Sequence, residues 1–197
     1  MVYRTSISKK ILTLFINVIY LFNSPIKVFF ISLAIYSIFS LFYFKPVFST
    51  SSYPYFNYLA DAFLHGQLHF RLEPPTTHDL ILFNNKFFAY WPPFPAILIM
   101  PFVAIFGVNF SDIFFTLLLG SINVGIFSYL LTEFNKKNIL NLNPLKHGLM
   151  VVFFAFGTVY LTMVPLGRVT FTALVVGVFC ILFTYLAAVK YEGMLGF

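Results

Sequence analysis

Long unbroken apolar runs dominate the chain, and few stretches alternate apolar with polar positions. A helix crossing a hydrocarbon core needs roughly 20 predominantly apolar residues, with a lower limit of about 17. Residues 28–44 meet the lower limit, and 113–131 and 169–189 fit comfortably. Residues 149–164 are slightly short, but the run continues to Leu166 past Pro165, and Lys146 can snorkel at its other end. Two further apolar stretches are doubtful as spans. Residues 11–22 would form a helix about 18 Å long at a rise of 1.5 Å per residue, well short of a core of about 30 Å. Pro25 then interrupts the path, so this stretch reads as an interfacial helix behind a basic N-terminus. Residues 92–107, PPFPAILIMPFVAIFG, would reach about 24 Å, with a kink at Pro101.

The region between the first two spans is where polar residues gather. Residues 53–65 read YPYFNYLADAFLH, with apolar residues at helical spacing and Asn57, Asp61 and His65 in an i, i+4 row on another face. Gly66 follows where a helix C-terminal glycine would sit. The pattern predicts an amphipathic helix lying flat on the membrane with its polar stripe facing away from lipid. Pro74 and Pro75 then break the chain. Asn84-Asn85 is a turn signal between two short strands, 80–83 and 87–90.

Composition removes the soluble alternatives. The apolar fraction is 60% and the charged fraction 9%, against about 25% charged residues in a soluble domain, so the chain lacks the charge to clothe a water-facing surface. Twenty-nine Phe and twelve Tyr suit lipid and its interfaces. The net charge of +6 reads as Lys and Arg flanking spans, and nucleic acid is not an expected partner. Cys180, the single cysteine, lies in an apolar run and reads as lipid-facing or packing. No small-residue cleavage site follows the first apolar stretch, so a cleavable signal peptide is not expected.

Charge placement orders the spans. With the N-terminus inside and neither doubtful stretch crossing, Arg4, Lys9, Lys10, Lys27, Lys136, Lys137, Lys146 and Lys190 lie inside, and Lys45, Arg71, Lys86 and Arg168 outside. If residues 92–107 alone crossed, the Lys136, Lys137 and Lys146 cluster would move outside, against the positive-inside rule. If both stretches crossed, ten cations would be inside and two outside, but two short helices would have to span. The expected fold is therefore an all-α integral membrane protein. It has four transmembrane helices, an N-terminal cytoplasmic or interfacial segment over 1–27, a membrane module over 28–190, and juxtamembrane helices in a large first outer loop, 45–112. Irregular backbone at membrane depth is tolerated where it is buried in protein or lines a polar cavity, so a cavity on the outer face is expected.

Candidate chemistry sits in that loop. Asp61 is either part of the wet face of an interfacial helix or a base or metal ligand at the membrane surface. Asp79 is the second carboxylate candidate. His65, His69, His78 and Asp79 are metal-capable residues, but their spacing matches no zinc signature. The metal and cofactor question stays open, with a divalent cation as the chemistry to consider. Tyr90 and Trp91 serve either as interface anchors or as a sugar-stacking platform.

The order of these features resembles a known family. A span leads into a helix ending LADAFLHGQL, then a hairpin, then YWPPFPAILIMPFVAIFG. A further span and a basic inner loop precede FAFGTVYLTMVPLGRVTF. This is similar to the N-terminal part of the GT-C membrane glycosyltransferases, and most of all to the bacterial protein-mannosyltransferase-like group, over about 28–190. The resemblance implies a polyprenyl-phosphate-linked sugar as donor, a lipid bilayer as surroundings, the plasma (inner) membrane as location and a multi-pass chain with a cytoplasmic N-terminus. It implies transfer of a sugar to an acceptor on the outer face, with Asp61 or Asp79 as catalytic carboxylate and His65, His78, Lys86, Tyr90, Trp91 and Arg168 as substrate-binding residues. Two departures stand out. The family's acidic residue shortly after the first span falls in STSSYPYF, which has no carboxylate, and the acid of the second outer loop is replaced in PLGRVTF by Arg168. Guanidinium suits a lipid phosphate, and an interfacial arginine is the plainer reading. The family extends through further spans, so residues 191–197, at the start of another apolar stretch, are expected to mark a truncation. A noncatalytic polytopic protein, a lipid-binding or scaffold subunit, is the alternative. A transporter is disfavoured, because the spans carry essentially no ionisable residues beyond Asp112 and Glu133 at the ends of one.

Overall fold

A computed structural model describes residue 10, residues 13–14 and residues 16–191. Arg4, Lys9 and all but the first residue of the expected break at 191–197 lie outside the described residues.

The elements run α1 (Pro25–Tyr43), α2 (Tyr55–Leu64), β1 (Ile81–Phe83), β2 (Lys86–Phe88), α3 (Phe94–Phe106), α4 (Asp112–Lys136), α5 (Pro144–Phe156), α6 (Tyr160–Leu166) and α7 (Val169–Lys190). Residues 16–21 are also helical. The protein is mostly helical. Three helices, α1, α4 and α7, are long and apolar enough to cross a membrane, as the hydrophobic runs predict.

The fourth expected span is interrupted. α5 and α6 meet at a bend of 48°, so the run over 149–166 is a broken pair rather than one rod. Asn143 caps α5 by accepting from the Lys146 amide at 2.8 Å, with Pro144 in the first turn. Gly157 then closes α5 three residues before α6 opens. α3 carries Pro101 inside it and ends at Gly107, whose φ of 74° needs a glycine. At 13 residues it spans about 20 Å, too short to cross alone.

The described residues form two compact units. One takes residues up to Leu33, Ser121–Leu161 and those from Cys180 onward; the other takes Ala34–Gly120 and Thr162–Phe179.

In the first unit, close approach depends on small residues. A Cβ on Gly148 would strike the backbone carbonyl and side chain of Ile19, and one on Gly125 would lie 3.3 Å from the Pro25 carbonyl. Ile19 and Phe22 are buried, so the described end of the expected interfacial stretch packs on protein. Two buried polar pairs form here. Ser128 Oγ lies 3.1 Å from His147 Nε2, and Asn123 Nδ2 donates to the Tyr160 hydroxyl at 2.7 Å. Cys180 is exposed on α7.

In the second unit, α2 packs along α3. This corrects the half-wet helix. Eight consecutive residues of α2, Tyr55 to Ala62, are buried, so no face of that segment is wet. Two of the three stripe residues make hydrogen bonds beyond the helix, whereas the His65 side chain stays half-exposed and Asn57 Oδ1 is buried without a hydrogen-bond partner among the described residues. Asn57 Nδ2 donates to the carbonyls of Val108 (2.9 Å) and Phe110 (2.7 Å), and Asp61 pairs with Arg71. A stripe of short polar side chains looks alike whether water or a neighbouring loop receives its hydrogen bonds. β1 and β2 form the expected hairpin, with Asn84 and Asn85 at φ of 47° and 54°, as a tight type I′ turn requires.

Candidate functional site

All the site residues below belong to the second unit. Two hydrogen-bonded ties assemble a polar cavity there. Ser40, near the end of α1, donates through Oγ toward the carbonyls of Lys45 (2.8 Å) and Pro165 (3.3 Å). The segment after α1 is thereby fastened beside the end of α6. Gly167 then turns the chain at φ 60°, and Arg168 leads into α7, its carbonyl accepting from the Thr172 amide at 2.8 Å. A Cβ on Gly167 would lie 2.7 Å from Ile113 Cα, so this corner needs glycine for its φ and for its space.

The second tie joins residues far apart in sequence. The Ser51 amide donates to Asp112 Oδ1 at 2.7 Å and the Ser51 hydroxyl to Oδ2 at 2.5 Å. The Ile113 amide also donates to Oδ1, at 3.1 Å. Asp112 is thus a buried carboxylate held by three donors at the positive end of α4. Ser111 works beside it. Its hydroxyl is 2.7 Å from the carbonyls of both Val47 and Ser49, and it accepts from the Phe114 amide at 3.0 Å.

The resulting cavity has a volume of about 230 Å³ and is lined by Tyr43, Phe44, Lys45, Ser51, Ser52, Leu166 and Arg168. Lys45 Nζ donates to the Thr50 carbonyl at 3.3 Å. The Arg168 guanidinium lies 6.0 Å from the Tyr53 ring centre. Among the described residues neither cation pairs with a carboxylate, and no carboxylate lines the cavity. Two cations and three hydroxyl-bearing side chains around a small space suit an anion of phosphate size. A second, apolar cavity of about 540 Å³ is walled by Phe48, Phe102, Phe106, Phe110 and Phe114, with Asn109 and Ser111.

The sequence candidates divide into groups. Asp61 receives Arg71 Nε and a terminal guanidinium nitrogen, both at 3.1 Å, one on each carboxylate oxygen. His65 Nδ1 lies 2.8 Å from the Asp61 carbonyl. The hydrogen bond to Asp61 raises the Arg71 pKa further above its ordinary value. His78 and Asp79 pair at 3.3 Å on an exposed turn, with Asp79 at φ 64°. The Tyr55 hydroxyl holds that turn, donating to the His78 carbonyl and lying 3.0 Å from Thr76 Oγ1. Burial pushes the Tyr55 phenol up from 10, which keeps the donating proton in place. Trp91 lies between Tyr90 (4.0 Å, stacked) and Tyr55 (5.3 Å). Tyr53 lies against both His78 (6.5 Å) and Arg168. An aromatic run through Tyr53 and Tyr55 therefore links Arg168, His78, Trp91 and Tyr90. Asp61 and His65 share a separate cluster with Arg71, and Lys86 stands on the hairpin. Among the described residues no three of His, Cys, Asp and Glu converge as a metal site.

Sequence reasoning missed Lys45, Ser51 and Asp112. The Ser111-Asp112 pair opening an apolar helix is a helix-start signal, but nothing local pairs it with Ser51. Comparison with protein family models, curated proteins and solved structures returns no match.

Proposed function

We propose that this chain is the N-terminal, donor-handling part of a GT-C-type membrane glycosyltransferase. In this reading the cationic cavity receives the phosphate of a polyprenyl-phosphate-linked sugar. The observation that carries the proposal is the placement of Lys45 and Arg168 on one small polar cavity, each at the end of an apolar helix and neither neutralised by a carboxylate. A phosphate leaving with the donor's electron pair gains negative charge, and two fixed cations stabilise it. The neighbouring phenylalanine-walled cavity suits the hydrocarbon chain of the same molecule. The protein sits in the plasma (inner) membrane with its N-terminus inside, and α5 with α6 forms a fourth, bent crossing.

A carboxylate must take the acceptor hydroxyl's proton. Asp61 has both oxygens engaged by Arg71, so an acceptor would first have to displace the guanidinium. Asp112 lies one hydrogen bond behind Ser51 on the cavity wall. Its oxygens are engaged as well, but the Ser51 hydroxyl on the cavity wall can take the acceptor's proton while passing its own to Asp112 Oδ2, and on that route we place the base role left empty in STSSYPYF. The second reading, a noncatalytic lipid-binding subunit, is favoured by the absence of any carboxylate from the cavity lining.

Binding of polyprenyl monophosphate and of the uncharged polyprenol to the detergent-solubilised chain tests the site. The phosphate should bind at least about tenfold more tightly, as expected for charge-assisted hydrogen bonds, and the Lys45→Ala/Arg168→Ala variant should abolish the difference. Equal affinity for the two lipids overturns the proposal. Hexose transfer from the phosphate donor that is lost in Asp112→Asn with binding intact supports the enzyme. Binding without any transfer by the unmodified chain favours the binding subunit.

A further inference from the structure

Outside the apolar helices, a group of consecutive exposed apolar side chains lies on the hairpin. In β1, Ile81, Leu82 and Phe83 are 52%, 61% and 63% exposed. Successive strand residues point to opposite faces, so Ile81 and Phe83 share one face and Leu82 occupies the other. The register completes both faces. Phe88 stands opposite Ile81, Phe87 opposite Leu82, and Lys86 opposite Phe83. Both faces of the ribbon are therefore apolar, and all three β1 side chains are uncovered.

The kind of partner follows from that two-sidedness. A protein element stacked on a ribbon covers one face. A strand added at an edge satisfies backbone groups and leaves both faces as they were. A fluid apolar medium reaches both faces at once. Water is a poor medium for this ribbon, since an isolated two-stranded hairpin is at best marginally stable there.

We infer that the hairpin lodges in the interfacial layer of the lipid bilayer, as a membrane-seated finger of the loop between α1 and α4. Its surroundings fit that depth. Residues 89–93 join β2 to α3, an apolar helix with Phe94 and Ile97 exposed. That link cannot exceed about 20 Å at full extension. It contains Tyr90 and Trp91, residue types enriched where lipid meets water. The Phe70 amide donates to the Phe87 carbonyl at 2.8 Å, which pins the outer edge of β2 to the chain after α2. The polar turn residues Asn84 and Asn85 belong at headgroup level, so the ribbon lies along the interface rather than plunging through it. Lys86 can extend its amine to the same level. This inference stands whether or not the cationic cavity binds a phosphate.

The test places a nitroxide on each face in turn, using Leu82→Cys and Phe83→Cys in a Cys180→Ser background. The full chain is reconstituted in phosphatidylcholine and phosphatidylglycerol vesicles. Both labels should collide severalfold more with oxygen than with a water-soluble nickel chelate, at a depth of about 5–10 Å below the headgroups. Nickel-accessible labels at both positions would place the hairpin in water and overturn the inference. Labels shielded from both reagents would mean a protein cover, a second copy included, and overturn it as well. Lipid exposure at only one position would reduce the finger to a face packed on something else, which also overturns it. If the cysteine variants do not fold, Leu82→Trp in a Trp91→Phe background replaces them. Quenching by brominated lipid but not by iodide then supports the inference, and the reverse overturns it.

Discussion

Asp61 and Asp112 carry the same group in different company. Asp61 faces a guanidinium ten residues away, an ion pair within one loop. Asp112 forms no ion pair among the described residues and is held by two amides and a hydroxyl, the hydroxyl and one of the amides coming from 61 residues away. The structural account of Asp61 predicts coupling. Asp61→Asn and Arg71→Gln should each lower the melting temperature in detergent by a few degrees. The double variant should be no worse than either single one, because each change alone already breaks the pair. Fully additive losses would show that the pair does not act as a unit. The Asp61 side chain was legible as a candidate because it stands out in an apolar helix. Its partner was not, because i, i+4 logic looks along the helix and Arg71 lies beyond the turn at Gly66.

At the scale of elements, glycines report where helices touch, and two of them should respond differently to rescue. A Cβ on Gly120 would lie 2.6 Å from a methyl of Val164, whereas one on Gly148 would meet the Ile19 backbone carbonyl. Gly120→Ala should cost about 1–3 kcal/mol through overpacking, and Val164→Ala should recover most of it. Gly148→Ala should cost at least as much, and Ile19→Ala should leave most of the loss in place, because trimming a side chain does not move a carbonyl. Thermal unfolding of the four variants in one detergent checks this, and rescue at Gly148 would contradict the backbone contact. The elements themselves were mostly legible. Runs of apolar residues gave α1, α4 and α7 to within a few residues, and Asn84-Asn85 gave the hairpin. α2 was misread as half-wet because hydrophobic periodicity records that one face is polar, not what receives its hydrogen bonds.

For the whole molecule, the placement of basic residues predicts a labelling pattern. In a Cys180→Ser background, Glu73→Cys should react with a membrane-impermeant maleimide from one side of the membrane and Lys137→Cys from the other. If residues 92–107 crossed, alone or together with 11–22, the two sites would share a side. Labelling from the same side would therefore overturn the chosen topology.

Apolar run length and sparse charge were enough to establish an apolar helical protein with helices long enough for a bilayer. Both are properties of consecutive residues, and the cost of leaving hydrocarbon-length runs in water is the same in any fold. The site could not be read that way. Lys45, Ser51, Asp112 and Arg168 are spread over more than half of the chain, and each is unremarkable among its neighbours. They become a cavity with a carboxylate behind its wall only through the Ser40 and Asp112 hydrogen bonds, which join the end of α1 to the end of α6 and the segment after α1 to the start of α4. Hydrogen bonds between sequence-distant partners leave no periodicity in the chain, so tertiary structure alone decided where these charges meet.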